Sequence, residues 1–276
     1  MPIGAGPFPA ALIVAGSGPT DRNGNQLSLH TDAYKLLAHD LAARGIATLR
    51  YDKRSIGQSE FKELREEDGR FEMFVDDALA FVHQLKADSR FHGVYIIGHS
   101  EGSLIGILAA QREPDLAGLI SLEGAGRNAA DVLVQQFRDA KQPANDVATV
   151  QQVTDSLRNG KTVANVDQSF YMLFRPSVQP YLISWFRYDP AAEIAKVRAP
   201  ALIVQGTTDF QVGIEDAQRL KSSDPSAKLA LINGMNHILR DAPADRAANL
   251  ATYQKPALPL DAQLVRELAD FIRSPH

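Results

Sequence analysis

The 276-residue chain contains no cysteine. Disulfides, thiolate metal sites and a cysteine nucleophile are therefore excluded. No apolar run approaches the ~20 residues needed to cross a bilayer. Residues 1–9 lack the basic and apolar regions of a signal peptide, so a cytoplasmic protein is expected. Charge of one sign is also scarce in excess. The net charge is −4 with both signs interspersed, which leaves no electrostatic footprint for nucleic acid or an acidic membrane. Neither H-E-x-x-H nor G-x-x-x-x-G-K-[ST] occurs, so no metal and no nucleotide cofactor is expected. Asp21-x-Asn23-x-Asn25 with Asp32 imitates part of a calcium loop, but Gln26 stands where that loop needs glycine and Asp32 where it needs glutamate. A solvated turn is the expectation there.

What the chain does have is alternation. Short β-rich runs alternate with helical periods, which predicts an α/β fold around a mostly parallel sheet flanked by helices. Strands are expected at residues 11–15, 46–51, 93–97, 116–122, 200–206 and 228–232, and helices over 30–44, 71–86 and 260–272. Between 127 and 187 strand signals vanish, and helical stretches follow one another with breaks near Pro143, Asn159-Gly160, Pro176 and Pro180. The expected organisation is a core over 1–126, a helical cap over 127–187, and the rest of the core over 188–276.

The strand ends carry the chemistry. Gly98-His99-Ser100-Glu101-Gly102 lies between an apolar strand-like run and a helix-like run. G-x-S-x-G alone arises by chance in roughly one chain in ten of this length. In a strand–turn–helix setting, however, it describes a nucleophile elbow, whose flanking glycines relieve a crowded turn. A serine hydroxyl needs a base, and that base needs an orienting carboxylate. Of the seven histidines, only His237 sits in a loop just beyond a late strand. His99 adjoins the serine and should point away from it. His30, His39, His83 and His92 lie upstream of the elbow, and His276 is terminal. Asp209, after the 200–206 strand, is the expected acid, with Glu123 as its competitor at another strand end. The order Ser100…Asp209…His237 differs from that of chymotrypsin and subtilisin. An oxyanion site needs two backbone N–H groups, expected from Glu101 and from Ser17 in Gly16-Ser17-Gly18.

Ala15-Gly16-Ser17-Gly18-Pro19-Thr20-Asp21-Arg22-Asn23-Gly24, Tyr51-Asp52-Lys53-Arg54-Ser55-Ile56-Gly57-Gln58-Ser59, the elbow, Gln205-Gly206-Thr207-Thr208-Asp209-Phe210-Gln211-Val212 and Asn236-His237 together resemble the α/β-hydrolase superfamily. The resemblance is narrower to its bacterial serine esterases and S33-type hydrolases. It implies a loop that supplies an oxyanion amide and a cap that shapes the acyl pocket. It also implies a sheet of eight strands, two of them before the oxyanion strand. That strand begins here near residue 10, so the first two strands are expected to be missing and residues 46–51 to form an apolar edge. Such an edge invites a second copy of the chain, and a homo-oligomer is expected through it.

The expected activity is hydrolysis of a small-molecule carboxylic ester, with short to medium acyl chains, through an acyl-enzyme on Ser100. Phe137, Phe170, Tyr171, Met172, Phe174, Trp185 and Phe186 supply the cap's aromatic and apolar side chains. Phe174, Trp185 and Phe186 are the candidate acyl-site residues. A serine aminopeptidase or thioesterase would use the same triad, the former with a cap carboxylate (Asp131, Asp139, Asp155 or Asp167) for the substrate amine. A non-catalytic binding protein on the same fold is the alternative from another class. Dehalogenation would require an aspartate at position 100.

Overall fold

The computed structural model describes residues 1–59 and 65–274; His276 lies outside them. Six strands form one sheet: β1 (Phe8–Val14), β2 (Ala47–Arg50), β3 (Phe91–His99), β4 (Gly118–Leu122), β5 (Ala201–Gly206) and β6 (Lys228–Ile232). Their spatial order is β2-β1-β3-β4-β5-β6, and every pairing is parallel. The side-chain period of two splits β1 between the faces. Ala10, Leu12 and Val14 enter one core, and Ala11 and Ile13 the other. Parallel strands covered on both faces carry continuous apolar runs, which is why residues 11–15 and 200–206 are legible as strands.

Helices α1 (Ala33–Ala42), α2 (Phe71–Ala87) and α3 (Glu101–Arg112) follow the first three strands. Between β4 and β5 lie α4 (Ala129–Asp139), α5 (Ala144–Arg158), α6 (Tyr171–Phe174), α7 (Gln179–Trp185) and α8 (Pro190–Ile194). α9 (Ile214–Ser223), α10 (Arg246–Ala251) and α11 (Ala262–Arg273) complete the chain. One face of the sheet packs on α2, α3 and α9 and the other on α1 and α11. Pro143 precedes α5, as its break predicts, but Pro180 does not break a helix. It occupies the first turn of α7, where its missing N–H has no intrahelical partner to lose. Helix α9 gave no usable sequence signal, because its short apolar face buries only Ala217 and Leu220 besides Asp216.

Strand β2 forms one edge of the sheet, as expected, with Thr48, Leu49 and Arg50 half-buried. Just beyond it, Asp52 anchors the loop that follows β1. Its carboxylate accepts from the Arg22 guanidinium at 2.5 and 3.0 Å, from the Arg22 N–H at 2.7 Å and from the Gln58 N–H at 2.9 Å. The Arg22 hydrogen bonds hold the Asp52 carboxyl down at about 2. A depressed carboxylate stabilises the fold above its unfolded pKa of ~3.9, and that stabilisation is lost as pH falls through the folded value. Asp52→Asn is expected to cost about 1–2 kcal/mol near neutrality, after allowance for solvent around Arg22. The difference should vanish towards pH 2. Thermal unfolding of both proteins across pH 2–7 checks this, and a pH-independent difference would refute it.

Candidate active site

Ser100 stands between β3 and α3 with φ 55° and ψ −121°, a left-handed backbone that few side chains tolerate. The crowding around it explains the glycines. A Cβ on Gly98 would lie 2.1 Å from the Gly102 carbonyl oxygen, and one on Gly102 would lie 2.3 Å from that of Val14. The turn is held by the Ser100 N–H to the Leu122 carbonyl at 2.9 Å.

Asp209, after β5, and His237, after β6, meet at 2.7 Å between Oδ2 and Nδ1. Asp209 Oδ1 accepts from the N–H groups of Gln211 and Val212, which fixes its loop. Burial raises the Asp209 carboxyl, but the adjacent His237 and the hydrogen bonds outweigh burial and hold it below its ordinary value. His237 and Ser100 line one cavity of about 90 Å³ with Gly16, Ser17, Tyr34 and Tyr253. A second cavity of about 90 Å³ also opens on Ser100 and Ser17, between the core and the helical segment, against Leu104, Leu133 and Trp185.

Glu123, the competitor for the acid, is fully buried beside this pair. Its Oε1 accepts from the Gly206 N–H at 2.9 Å, and its Oε2 from Gln205 Nε2. Burial, then the Asp209 charge, pushes its carboxyl well above the ordinary range. Ligand atoms of Glu123, Asp209 and His237 lie within 4.8 Å of one another, a spacing that suits a cation. Hydrogen bonds already engage them, and a shared proton satisfies the two carboxyls.

His99 does not simply turn away from the serine. It is buried, with Nδ1 2.8 Å from the Tyr34 hydroxyl and Nε2 2.9 Å from the His237 carbonyl oxygen. The Gly16 N–H donates to Tyr34 at 3.0 Å, so Tyr34 in turn donates to Nδ1, and His99 Nε2–H donates to the carbonyl. Burial, then the neighbouring His237, lowers His99 to about 3 and keeps it neutral. His99 thus ties the histidine loop to the Gly16 loop. No local pattern signals a bond spanning 138 residues.

Ser17 and Glu101, the expected oxyanion donors, line a cavity together with Ser100. The Glu101 N–H is the first of α3, one of the helix's unpaired donors, where the dipole favours negative charge. The Ser17 N–H makes no hydrogen bond among the described residues. Of the acyl-site candidates, only Trp185 lines a cavity shared with Ser100. Phe174 and Phe186 are buried within the helical segment's own apolar cluster, and neither lines a cavity around Ser100. Their hydrophobicity packs that segment together. Asp21 accepts from the N–H groups of Asn23 and Asn25, the expected turn.

An all-parallel sheet with Ser100 in the turn after β3, and Asp209 and His237 in the loops after β5 and β6, has the layout of an α/β-hydrolase fold. The profile of the serine aminopeptidase S33 family matches residues 27–241, and the chain belongs to that family. Esterase EstD of Thermotoga maritima is 26% identical over 245 residues, covering 87% of this chain. The chain spans 56% of that relative's length. Among solved structures, Est1E of Butyrivibrio proteoclasticus with ferulic acid bound has a TM-score of 0.63 at 21% identity, over 98% of this chain and 93% of that one. Proline iminopeptidase of Mycobacterium smegmatis has 0.62 at 17% identity, over 98% and 91%. No described helix is long and apolar enough to cross a membrane.

Proposed function

We propose that this chain is a serine hydrolase of carboxylic esters with short to medium acyl chains. Ser100 Oγ attacks the ester carbonyl as His237, oriented by Asp209, takes its proton. The Ser17 and Glu101 N–H groups hold the oxyanion. The alcohol leaves with the proton from His237, and water, activated by the same imidazole, releases the acid from the acyl-enzyme. Residues 127–187 act as the cap, with Trp185 against the acyl group.

The observation that carries this reading is the lining of the cavities beside Ser100. Among the described residues their only carboxylate is Glu101, which is buried against Lys53. An aminopeptidase needs a free carboxylate for the substrate's ammonium. Asp131 is instead paired with Arg158, Asp139 and Asp155 accept from Gln135 and Gln151, and Asp167 caps Ser169. The esterase name of the Thermotoga relative agrees with this choice, while the family description keeps an aminopeptidase as the second reading.

Cavities of about 90 Å³ are far below the roughly 300–1,000 Å³ of pockets for drug-sized ligands. The expected kcat/KM optimum on p-nitrophenyl esters from acetate to decanoate therefore lies at the short end. Assaying that series beside aminoacyl-arylamides tests the assignment. Faster arylamide turnover would replace it with the aminopeptidase, and an optimum at decanoate would overturn the acyl-length assignment.

A further inference from the structure

Lys53 is a buried lysine that the chemistry above does not use. It is 4% exposed, just beyond β2, among the core's strand ends. Burying an ammonium costs several kcal/mol unless partners compensate, and its partners here are specific. Nζ donates to the Gly16 carbonyl oxygen at 2.6 Å and lies 3.5 Å from Glu101 Oε1. The Phe74 ring faces it at 5.6 Å. Burial, then the charge of Glu101, pushes the Tyr181 phenol of α7 upward.

The location of these partners matters. The Gly16 carbonyl and the Ser17 N–H belong to one peptide group, and in a planar trans peptide they point in opposite directions. Anchoring the carbonyl on Lys53 therefore aims the Ser17 N–H away from Lys53. Gly16 packs so closely on the elbow that a Cβ there would lie 3.1 Å from Ser100 Cβ. Glu101 supplies the other N–H. We propose that Lys53 is a positioning residue for the oxyanion site: its ammonium, seated on Glu101, fixes the Gly16–Ser17 peptide and clamps the two N–H donors at their separation beside Ser100. A positive charge at the carbonyl end also polarises the peptide, so that its N–H is a stronger donor. The assignment rests on the ester-hydrolase reading.

The test compares wild type, Lys53→Met and Glu101→Gln on p-nitrophenyl acetate and its thiono analogue. A thiono sulfur is a poor acceptor, so the ester-to-thionoester rate ratio reports how well the N–H donors are aimed. Removing one donor elsewhere costs about 10²–10³ in kcat. Lys53→Met, folded by thermal unfolding, is expected to lose about 10²-fold in kcat with KM within threefold, and its rate ratio should fall by about tenfold or more. A folded Lys53→Met with kcat within threefold of wild type, or with the rate ratio unchanged, overturns the proposal. If Lys53→Met does not fold, Glu101→Gln decides, since it leaves the Lys53–Gly16 bond and removes its counter-charge. A lowered ratio there supports the clamp, and a wild-type ratio overturns it. A wild type without Ser100-dependent ester turnover would overturn the function and this role together. An active wild type with an indifferent Lys53→Met would overturn this role alone.

Discussion

Ser100→Ala is expected to lower kcat for ester hydrolysis by about 10⁶, the scale of nucleophile loss in another serine hydrolase, while leaving the fold intact. The hydrogen bonds that hold the elbow are made by the Ser100 main chain, to Leu122 and from Ser103, and alanine keeps both. Alanine also keeps the Cβ and the left-handed φ of 55°, so no new strain is introduced. The Ser100 side chain makes no structural hydrogen bond among the described residues. Steady-state hydrolysis together with thermal unfolding checks both halves. Retention of more than about one-hundredth of wild-type turnover in a folded variant would show that the chemistry does not run through this serine.

The second large effect should separate the two buried carboxyls. Asp209→Asn is expected to reduce kcat by about 10⁴, the loss found when a triad aspartate is amidated elsewhere. Asparagine keeps an oxygen for the Gln211 and Val212 N–H groups, so the loop survives. It then turns an N–H₂ towards His237 Nδ1 and selects the wrong imidazole tautomer. Glu123→Gln should stay within about tenfold of wild type, because Glu123 is held neutral and its partners are Gly206, Gln205 and Asp209 rather than the base.

Stability should separate them as well. A carboxyl whose folded pKa is raised binds more protons folded than unfolded, so its contribution is present at low pH. It declines as pH rises from the unfolded value of ~4.3 towards the folded one, by up to about 1.4 kcal/mol per pH unit. Glu123→Gln removes that decline, and its melting temperature should gain on wild type as pH rises from 4 to 8. A large kcat loss in Glu123→Gln with a mild one in Asp209→Asn would exchange the two roles.

Much of this was legible along the chain because it is local. A strand entering G-H-S-E-G and a helix leaving it is a contiguous signal, and the β6 expectation, 228–232, coincides with the strand itself. Asp209 and His237 could be singled out because parallel α/β sheets place their loops of function after strand C-termini, and each follows one. The expected edge at β2 followed from the family resemblance, which places two strands before β1 that this chain does not show. Helix α9 was missed because two buried apolar residues make too weak a period. Phe174 and Phe186 were misplaced because an aromatic packing a helical segment and one lining a substrate cavity have the same sequence signature.

The sequence by itself thus determined the α/β class, the elbow serine and the strand-end loops, since propensity, periodicity and turn chemistry act over a few residues. Only the tertiary structure decided which carboxyl faces His237, that His99 joins the histidine loop to Tyr34 and Gly16, and that Lys53 reaches the Gly16 carbonyl. Those are contacts between loops brought together by the order of strands in the sheet. Hydrogen bonding and charge fall off within a few ångströms, so such contacts exist only once the sheet has set the distances.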